Sequence, residues 1–174
     1  MFRTATLLAF AGIGLTAFLV VVWPARSEEG GRLVIPISAS GPLDGLSFEG
    51  MFGPADGSSD VADVLFFRDG HFWSENCVPC GFSPGPYRAR RTDEGIHFEG
   101  MLESPDRGRF HYTGVVKGGR VQAHINWRKE RWYWTIDKDF QFEGARTERP
   151  ATASAKSMTR IALTAKPDPD KCRP

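Results

Sequence analysis

The stretch FHYTGVVKGGRVQAHINW, residues 110–127, decides the fold. On both sides of Gly118 and Gly119 its apolar residues occupy every second position, which is the period of a half-buried β-strand rather than of a helix. A two-residue turn at the glycine pair sets Phe110 opposite Trp127, and every inward residue between them meets another inward residue. The stretch therefore predicts an antiparallel hairpin with one buried face.

A second turn signal upstream extends the same pattern. Asp69 and Gly70 predict a two-residue turn that pairs Phe67 with Phe72, again inward against inward. No stretch between residues 44 and 147 has the spacing of a helix. The alternation predicts eight or nine strands, at residues 45–53, 62–68, 71–75, 86–91, 96–103, 109–117, 120–128, 131–137 and 140–146.

The tryptophan-rich segment after the first hairpin is interpreted as two more strands. A turn at residues 129–130 sets Trp127 against Trp132, and a further turn at residues 137–139 leads into the last strand. In this register Trp132 and Trp134 both face the interior.

The fold class is all-β. An up-and-down meander with one polar face must hide both its apolar face and its edges, and closing the sheet on itself does both. Eight strands are enough to close a barrel. The sequence predicts a closed antiparallel barrel over residues 44–147, with a two-sheet sandwich as the rival arrangement.

This region resembles the calycins, the lipocalin-like and avidin-like small barrels, in its run of hairpins with inward aromatic rings. The rings that carry the resemblance are Phe98, Phe110, Tyr112, Trp127, Trp132, Trp134 and Phe142. The resemblance implies a pocket at the barrel mouth for a small apolar molecule, such as a lipid, an isoprenoid or a tetrapyrrole.

Two interpretations of the barrel interior remain open. An empty channel would bind such a ligand between Phe98, Tyr112, Trp127, Trp134 and Phe142. Bulky rings can instead fill a small barrel, in which case the domain would act through its outer surface. An open channel favours a ligand carrier, whereas an exposed apolar patch on a filled barrel favours an interaction module.

The first residues predict where the barrel is located. Residues 4–25 contain no charged residue and are long enough to span a membrane, and Arg3 precedes them. The positive-inside rule then leaves the rest of the chain outside the cytoplasm, most simply at a bacterial inner membrane facing the periplasm. We expect residues 1–26 to be a transmembrane anchor, or a signal sequence whose cleavage gives a secreted protein. Residues 27–43 are expected to be a linker.

Charge excludes one class of partner and marks the tail. The 22 Lys and Arg nearly cancel the 21 Asp and Glu, so the net charge of +1 gives no bulk attraction for nucleic acid. Residues 148–174 are more basic, are rich in Pro, lack aromatic residues and are expected to be largely disordered. Their one apolar patch, residues 158–163, could add an edge strand, or the basic tail could lie on anionic lipid headgroups.

Cys77 and Cys80 have the C-x-x-C spacing of redox sites. They lie in a Gly- and Pro-rich loop, without the helix N-terminus that lowers the thiol pKa in a thioredoxin-type site. A structural disulfide between Cys77 and Cys80 is the preferred interpretation, with thiol redox activity as a further hypothesis. Cys172 could be free, pair with another chain, or capture one of these two cysteines.

No group has the pattern of an active site. The histidines and the Glu of each Phe-Glu-Gly triplet fall on the outward face, where desolvation cannot tune them for catalysis. They are His71, His97, His111, His124, Glu49, Glu99 and Glu143. The sequence thus predicts no catalytic residue, no metal site and no cofactor. It predicts an exported, membrane-anchored, non-enzymatic barrel that binds a small hydrophobic ligand or, alternatively, a protein partner in the cell envelope.

Overall fold

The computed structural model describes residues 41–169 and 171–172. Eight antiparallel strands follow one another around a closed barrel, and the last pairs with the first. The strands are β1 Ser47–Pro54, β2 Val61–Arg68, β3 His71–Ser74, β4 Gly85–Thr92, β5 Gly95–Ser104, β6 Gly108–Lys117, β7 Arg120–Glu130 and β8 Thr135–Thr147. The predicted all-β, up-and-down closed barrel is confirmed.

Both turn signals act as the sequence predicts. The β6–β7 hairpin turns at residues 118–119 and sets Phe110 opposite Trp127. The two turn glycines have φ angles of 57° and 77°, in the left-handed region that glycine adopts without strain. The β2–β3 hairpin likewise sets Phe67 opposite Phe72. The predicted inward faces of these four strands are therefore correct.

The predicted register of β7 with β8 is wrong. β7 continues through residues 129–130, and residues 137–139 lie inside β8, so the last two predicted strands are one. Ile125 faces Phe140 instead of Trp134, a shift of six residues. Lys and Glu do not favour the positive φ angles of a two-residue hairpin turn, so the chain does not reverse at residues 129–130. The aromatic residues between β7 and β8, at positions 132–134, consequently lie beyond the end of the barrel.

The interior of the barrel is filled by its own side chains. The ring of Phe67 lies 5.0 to 5.8 Å, between centroids, from the rings of Phe72, Tyr87 and Phe98. Phe110 centres a second group of rings, formed with Phe82, Tyr112, Trp127 and Phe140. All of these residues belong to one buried cluster. Edge-on and offset contacts of this kind stabilise aromatic cores beyond the area that they bury.

One end of the barrel is plugged by the chain that leads into β1. Leu43 is fully buried in the core. The Asp44 carboxylate accepts hydrogen bonds from the Gly70 N–H at 3.0 Å and from the Tyr87 hydroxyl at 2.9 Å. These bonds tie the plug to the β2–β3 turn and to β4. We refer to this end as the plugged end.

The opposite end of the barrel is referred to as the mouth. It carries the connections at residues 55–60, 75–84, 105–107 and 131–134. The second of these contains a single turn of 3-10 helix, Val78–Cys80.

The prediction that residues 148–174 are largely disordered is wrong for the described part of this tail. Helix α1, Ala155–Thr164, begins at Ser154, whose hydroxyl accepts a hydrogen bond from the Ser157 N–H at 3.2 Å. Residues 158–163 therefore form part of a helix, not an edge strand. The buried Ala162 packs into an apolar cluster outside the barrel, formed with Val64, Phe66, Trp73 and Val78. The chain then leads to the mouth, where Cys172 is buried.

The predicted anchor, residues 1–26, and most of the predicted linker lie outside the described residues. Within residues 41–169 and 171–172, no helix is both long enough and apolar enough to cross a membrane.

Candidate binding surface at the barrel mouth

The five predicted ligand-binding residues lie in different surroundings. Phe98, Tyr112 and Phe142 are 3%, 1% and 0% exposed and pack within the filled interior. Trp127 is also buried, and its indole N–H donates a hydrogen bond to the carbonyl at residue 107 over 2.9 Å. Trp134 is 45% exposed and lies outside the barrel. Packed rings thus occupy the space where a channel was expected.

Three successive aromatic residues are exposed at the tip of the β7–β8 hairpin. Trp132, Tyr133 and Trp134 are 94%, 62% and 45% exposed. The Arg131 N–H donates to the Trp134 carbonyl at 2.9 Å, which closes a tight turn. We refer to residues 131–134 as the aromatic loop. Contiguous exposed rings of this size mark interaction sites on soluble domains.

Cationic side chains lie close to the aromatic loop. The Arg131 guanidinium lies 5.5 Å from the centre of the Trp134 ring, in a cation–π arrangement. Partial burial, together with the neighbouring cations Arg131 and Arg107, lowers the pKa of Lys129. Lys129 therefore lies near Arg131, Arg107 and the Asp106 carboxylate, and Arg131 itself lies beside an exposed ring.

The acidic groups of the same hairpin do not cancel this charge at the loop. Arg128 already contacts Glu130 at 3.2 Å and Asp137 at 3.6 Å. Arg109 adds a further contact to Glu130 at 3.7 Å. A molecule that approaches the aromatic loop therefore meets exposed rings with Arg131 and Lys129 near them.

A small cavity lies inside the mouth. Its volume is about 100 Å³, and its wall includes Phe82, Phe110, Trp127, Cys77 and Cys172. A dry apolar cavity of about 150 Å³ holds a benzene molecule. This cavity therefore has room for a group of a few heavy atoms and not for an isoprenoid or a tetrapyrrole.

The predicted pairing of Cys77 with Cys80 is wrong. Cys80 forms a disulfide with Cys172, which is 92 residues away in sequence, and Cys77 is free. The spacing of the first two cysteines could not reveal this, because the pairing depends on the tail folding back to the mouth. The Arg107 guanidinium also donates a hydrogen bond to the Cys172 carbonyl, so the end of the tail is held there twice.

Cys77 belongs to a buried polar network. The Ser74 hydroxyl accepts a hydrogen bond from the Cys77 N–H at 3.0 Å and donates one to Asp63 at 2.7 Å. The Cys77 sulfur lies 3.9 Å from the Tyr112 hydroxyl. Burial, and to a smaller degree the Asp63 carboxylate, raises the pKa of Cys77 to about 12. The thiol is protonated at neutral pH, whereas a redox nucleophile is activated by a lowered pKa.

Asp63 and Ser74 are the residues at the mouth that sequence reasoning missed. Both are buried, and Asp63 also accepts hydrogen bonds from the N–H groups of Val64 at 2.8 Å and Asn76 at 3.1 Å. Asp63 occupies an inward position of β2, two residues before the core residue Leu65. An acidic residue at an inward strand position is the signal that could have indicated a buried polar site.

The outer wall carries paired polar side chains. His111 lies 2.9 Å from Glu99, and His124 lies 3.1 Å from Asp139. In the part of the chain that the structure describes, no three His, Cys, Asp or Glu side chains are grouped as metal ligands. A broad depression of about 850 Å³ crosses this wall from β4 to β8 and is lined by both polar and apolar side chains.

The closed eight-stranded barrel is consistent with the calycin architecture that the sequence resembles. Comparison of the chain with protein-family models, with curated proteins and with solved structures finds no significant match. The likeness to calycins is therefore one of architecture, and the surfaces at the mouth carry the functional inference.

Proposed function

We propose that this chain is an exported, membrane-anchored, non-enzymatic β-barrel that acts as a protein interaction module in the cell envelope. The aromatic loop is its contact surface. The observation that carries this proposal is the exposure of Trp132, Tyr133 and Trp134 on a barrel whose interior is filled. A filled interior leaves no space for a bulky ligand, so the barrel serves as a scaffold that holds the loop.

The partner surface that fits the loop is an apolar pocket with an acidic rim. Trp, Tyr and Arg are enriched among the residues that dominate interface energies, because their large side chains bury much area in a few contacts. Trp132 is 94% exposed and is the ring with the most surface to bury. Arg131 and Lys129 would meet carboxylates at the edge of such a pocket, and this complementarity would steer the encounter.

The disulfide supports an oxidising location for the domain. The Cys80–Cys172 bond joins two parts of the described chain. Disulfides persist in the periplasm and outside the cell, whereas cytoplasmic thiols are kept reduced. The charge-free segment at residues 4–25 would supply the export signal.

Site-specific photo-crosslinking in intact cells tests this proposal. A benzophenone amino acid replaces Trp132 in the full chain and, as the matched control, replaces Leu163, an exposed apolar residue of α1. We expect one protein adduct of defined mass from position 132 and none of that mass from position 163. Adding Arg131→Glu should reduce the adduct at least about tenfold, because it reverses a charge at the proposed rim.

Two results would contradict the proposal. Adducts with lipid alone at position 132 would identify a membrane surface as the partner. The same set of proteins at both positions would show that the loop has no particular partner.

A small apolar ligand at the mouth is the second candidate function. The cavity of about 100 Å³ lined by Phe82, Phe110 and Trp127 favours it, because these rings offer an apolar wall beside a few polar groups. Its size limits the bound part to a single ring or the end of a chain.

A further inference from the structure

Three cysteines surround the cavity at the mouth. Cys77, Cys80 and Cys172 all contribute to its wall. Cys80 and Cys172 are joined by the disulfide, and Cys77 keeps a free thiol. A thiol therefore lies beside the disulfide that fastens the tail to the barrel.

The 3-10 turn brings Cys77 and Cys80 to the same side. The Cys80 N–H donates to the Cys77 carbonyl at 3.1 Å, which is the i to i+3 hydrogen bond of this helix type. Side chains three residues apart eclipse on a 3-10 helix, and three residues rise by about 6 Å. Disulfides join Cα atoms that are about 4.4 to 6.8 Å apart. A Cys77–Cys80 bond is therefore compatible with this backbone.

We propose that Cys77 is the internal nucleophile of a thiol–disulfide exchange that replaces the Cys80–Cys172 bond with a Cys77–Cys80 bond and releases the tail. The Cys77 thiolate attacks the Sγ atom of Cys80, and the Cys77–Cys80 bond forms as the bond to Cys172 breaks. Cys172 leaves as a thiolate and takes up the proton that Cys77 had lost. One disulfide is present before and after, so the step needs no oxidant or reductant.

The exchange changes the mouth of the barrel. Lys171 and Cys172 form part of the cavity wall, and Arg107 holds the Cys172 carbonyl. Release of Cys172 removes the covalent link that keeps this wall in place. The exchange therefore frees residues 171–172 from the wall and widens the opening of the cavity, and this inference does not rest on the proposed protein partner.

The groups that face Cys77 keep the exchange slow while the mouth is closed. Asp63 on β2 disfavours the thiolate, whereas Ser74 on β3, Tyr112 on β6 and Arg107 in the β5–β6 turn favour it. Burial is the largest influence and leaves the thiol protonated at neutral pH. Below the pKa of about 12, the thiolate fraction rises about tenfold for each pH unit. The exchange rate should follow that fraction.

Peptide mapping of the full chain tests the exchange. The oxidised protein is incubated without added thiols at pH 7.5, 8.5 and 9.5, quenched in acid, denatured and labelled with N-ethylmaleimide. The native pairing places the label on Cys77, and the exchanged pairing places it on Cys172. We expect label to move to Cys172 with a rate that rises about tenfold per pH unit and does not depend on protein concentration.

Two variants serve as controls. Cys77→Ser should leave Cys172 unlabelled at every pH. In Cys172→Ser, oxidised glutathione should produce the Cys77–Cys80 disulfide, which tests the geometry even if the first variant folds poorly.

Three results would overturn the proposal. The first is no movement of label to Cys172 at pH 9.5 while the circular dichroism stays native. The second is movement whose rate scales with protein concentration. The third is failure of Cys172→Ser to form the Cys77–Cys80 bond.

Discussion

Single glycines on the barrel wall leave space for the rings that fill the interior. A Cβ atom on Gly114 would lie 2.6 Å from the Phe98 ring and 2.7 Å from the Gln122 carbonyl oxygen. A Cβ atom on Gly100 would lie 2.4 Å from the Phe72 ring. Real side-chain contacts are longer than this, so the neighbouring rings occupy the volume that a larger residue would need.

Gly114→Ala should therefore destabilise the fold. We expect the free energy of unfolding to fall by about 1 to 3 kcal/mol, because the new methyl group displaces the Phe98 ring or the β7 backbone. Gly57→Ala is the matched control, since its nearest neighbour, a Pro54 side-chain carbon, is 3.5 Å away. Urea unfolding followed by tryptophan fluorescence measures both. Equal free energies of unfolding for the two variants would contradict the close contact between the Phe98 ring and Gly114.

The sequence predicts these close contacts between aromatic rings and wall glycines only in part. Gly100 and Gly114 fall at inward strand positions, where glycine indicates a bend or a neighbouring ring. The particular ring is not predictable, because Phe72 of β3 lies 28 residues before Gly100 of β5 and reaches it across β4. Local alternation fixes which face a residue takes, whereas contacts across the interior depend on all eight strands.

At the scale of elements, β2 and β3 differ from the other strands because both of their faces are buried. Leu65 and Phe67 face the interior, and Val64 and Phe66 face α1. The uninterrupted apolar run in β2 is typical of a strand that is covered on both sides. That run indicates a covering element outside the barrel, whereas the composition of the tail alone predicts disorder and does not reveal α1.

A charge on the covered face of α1 should detach the helix. Ala162→Asp places a carboxylate at a site that is 3% exposed, and we expect a loss of about 2 to 4 kcal/mol in the free energy of unfolding or local opening. Leu163→Asp, at a neighbouring site that is 63% exposed, should change it by less than about 0.5 kcal/mol. Amide hydrogen exchange of residues 155–164 measures the effect. Fast exchange in both variants, or in neither, would refute the packing of α1 on β2 and β3.

The whole molecule is a barrel with a plugged end and a mouth, and the two ends differ in how far the sequence predicts them. Strand order and the β6–β7 register follow from glycine turns and alternation, and both are confirmed. The mouth depends on the six-residue shift of β8 and on the return of Cys172. Neither feature is local in sequence. For that reason the sequence predicts an interior position for Trp134 and a disulfide for Cys77, and both predictions are wrong.

The native mass of the full chain, purified from its own cells in mild detergent, tests most directly the claim that the interior is filled and that the loop is the contact surface. We expect the polypeptide with one bound protein, and we expect that protein to be lost in the double variant Trp132→Ser, Trp134→Ser. Leu163→Ser should retain it. A stoichiometric small molecule that is too large for the mouth cavity of about 100 Å³ and stays bound in the double variant would contradict the filled interior, because such a ligand would need the space that the packed rings occupy.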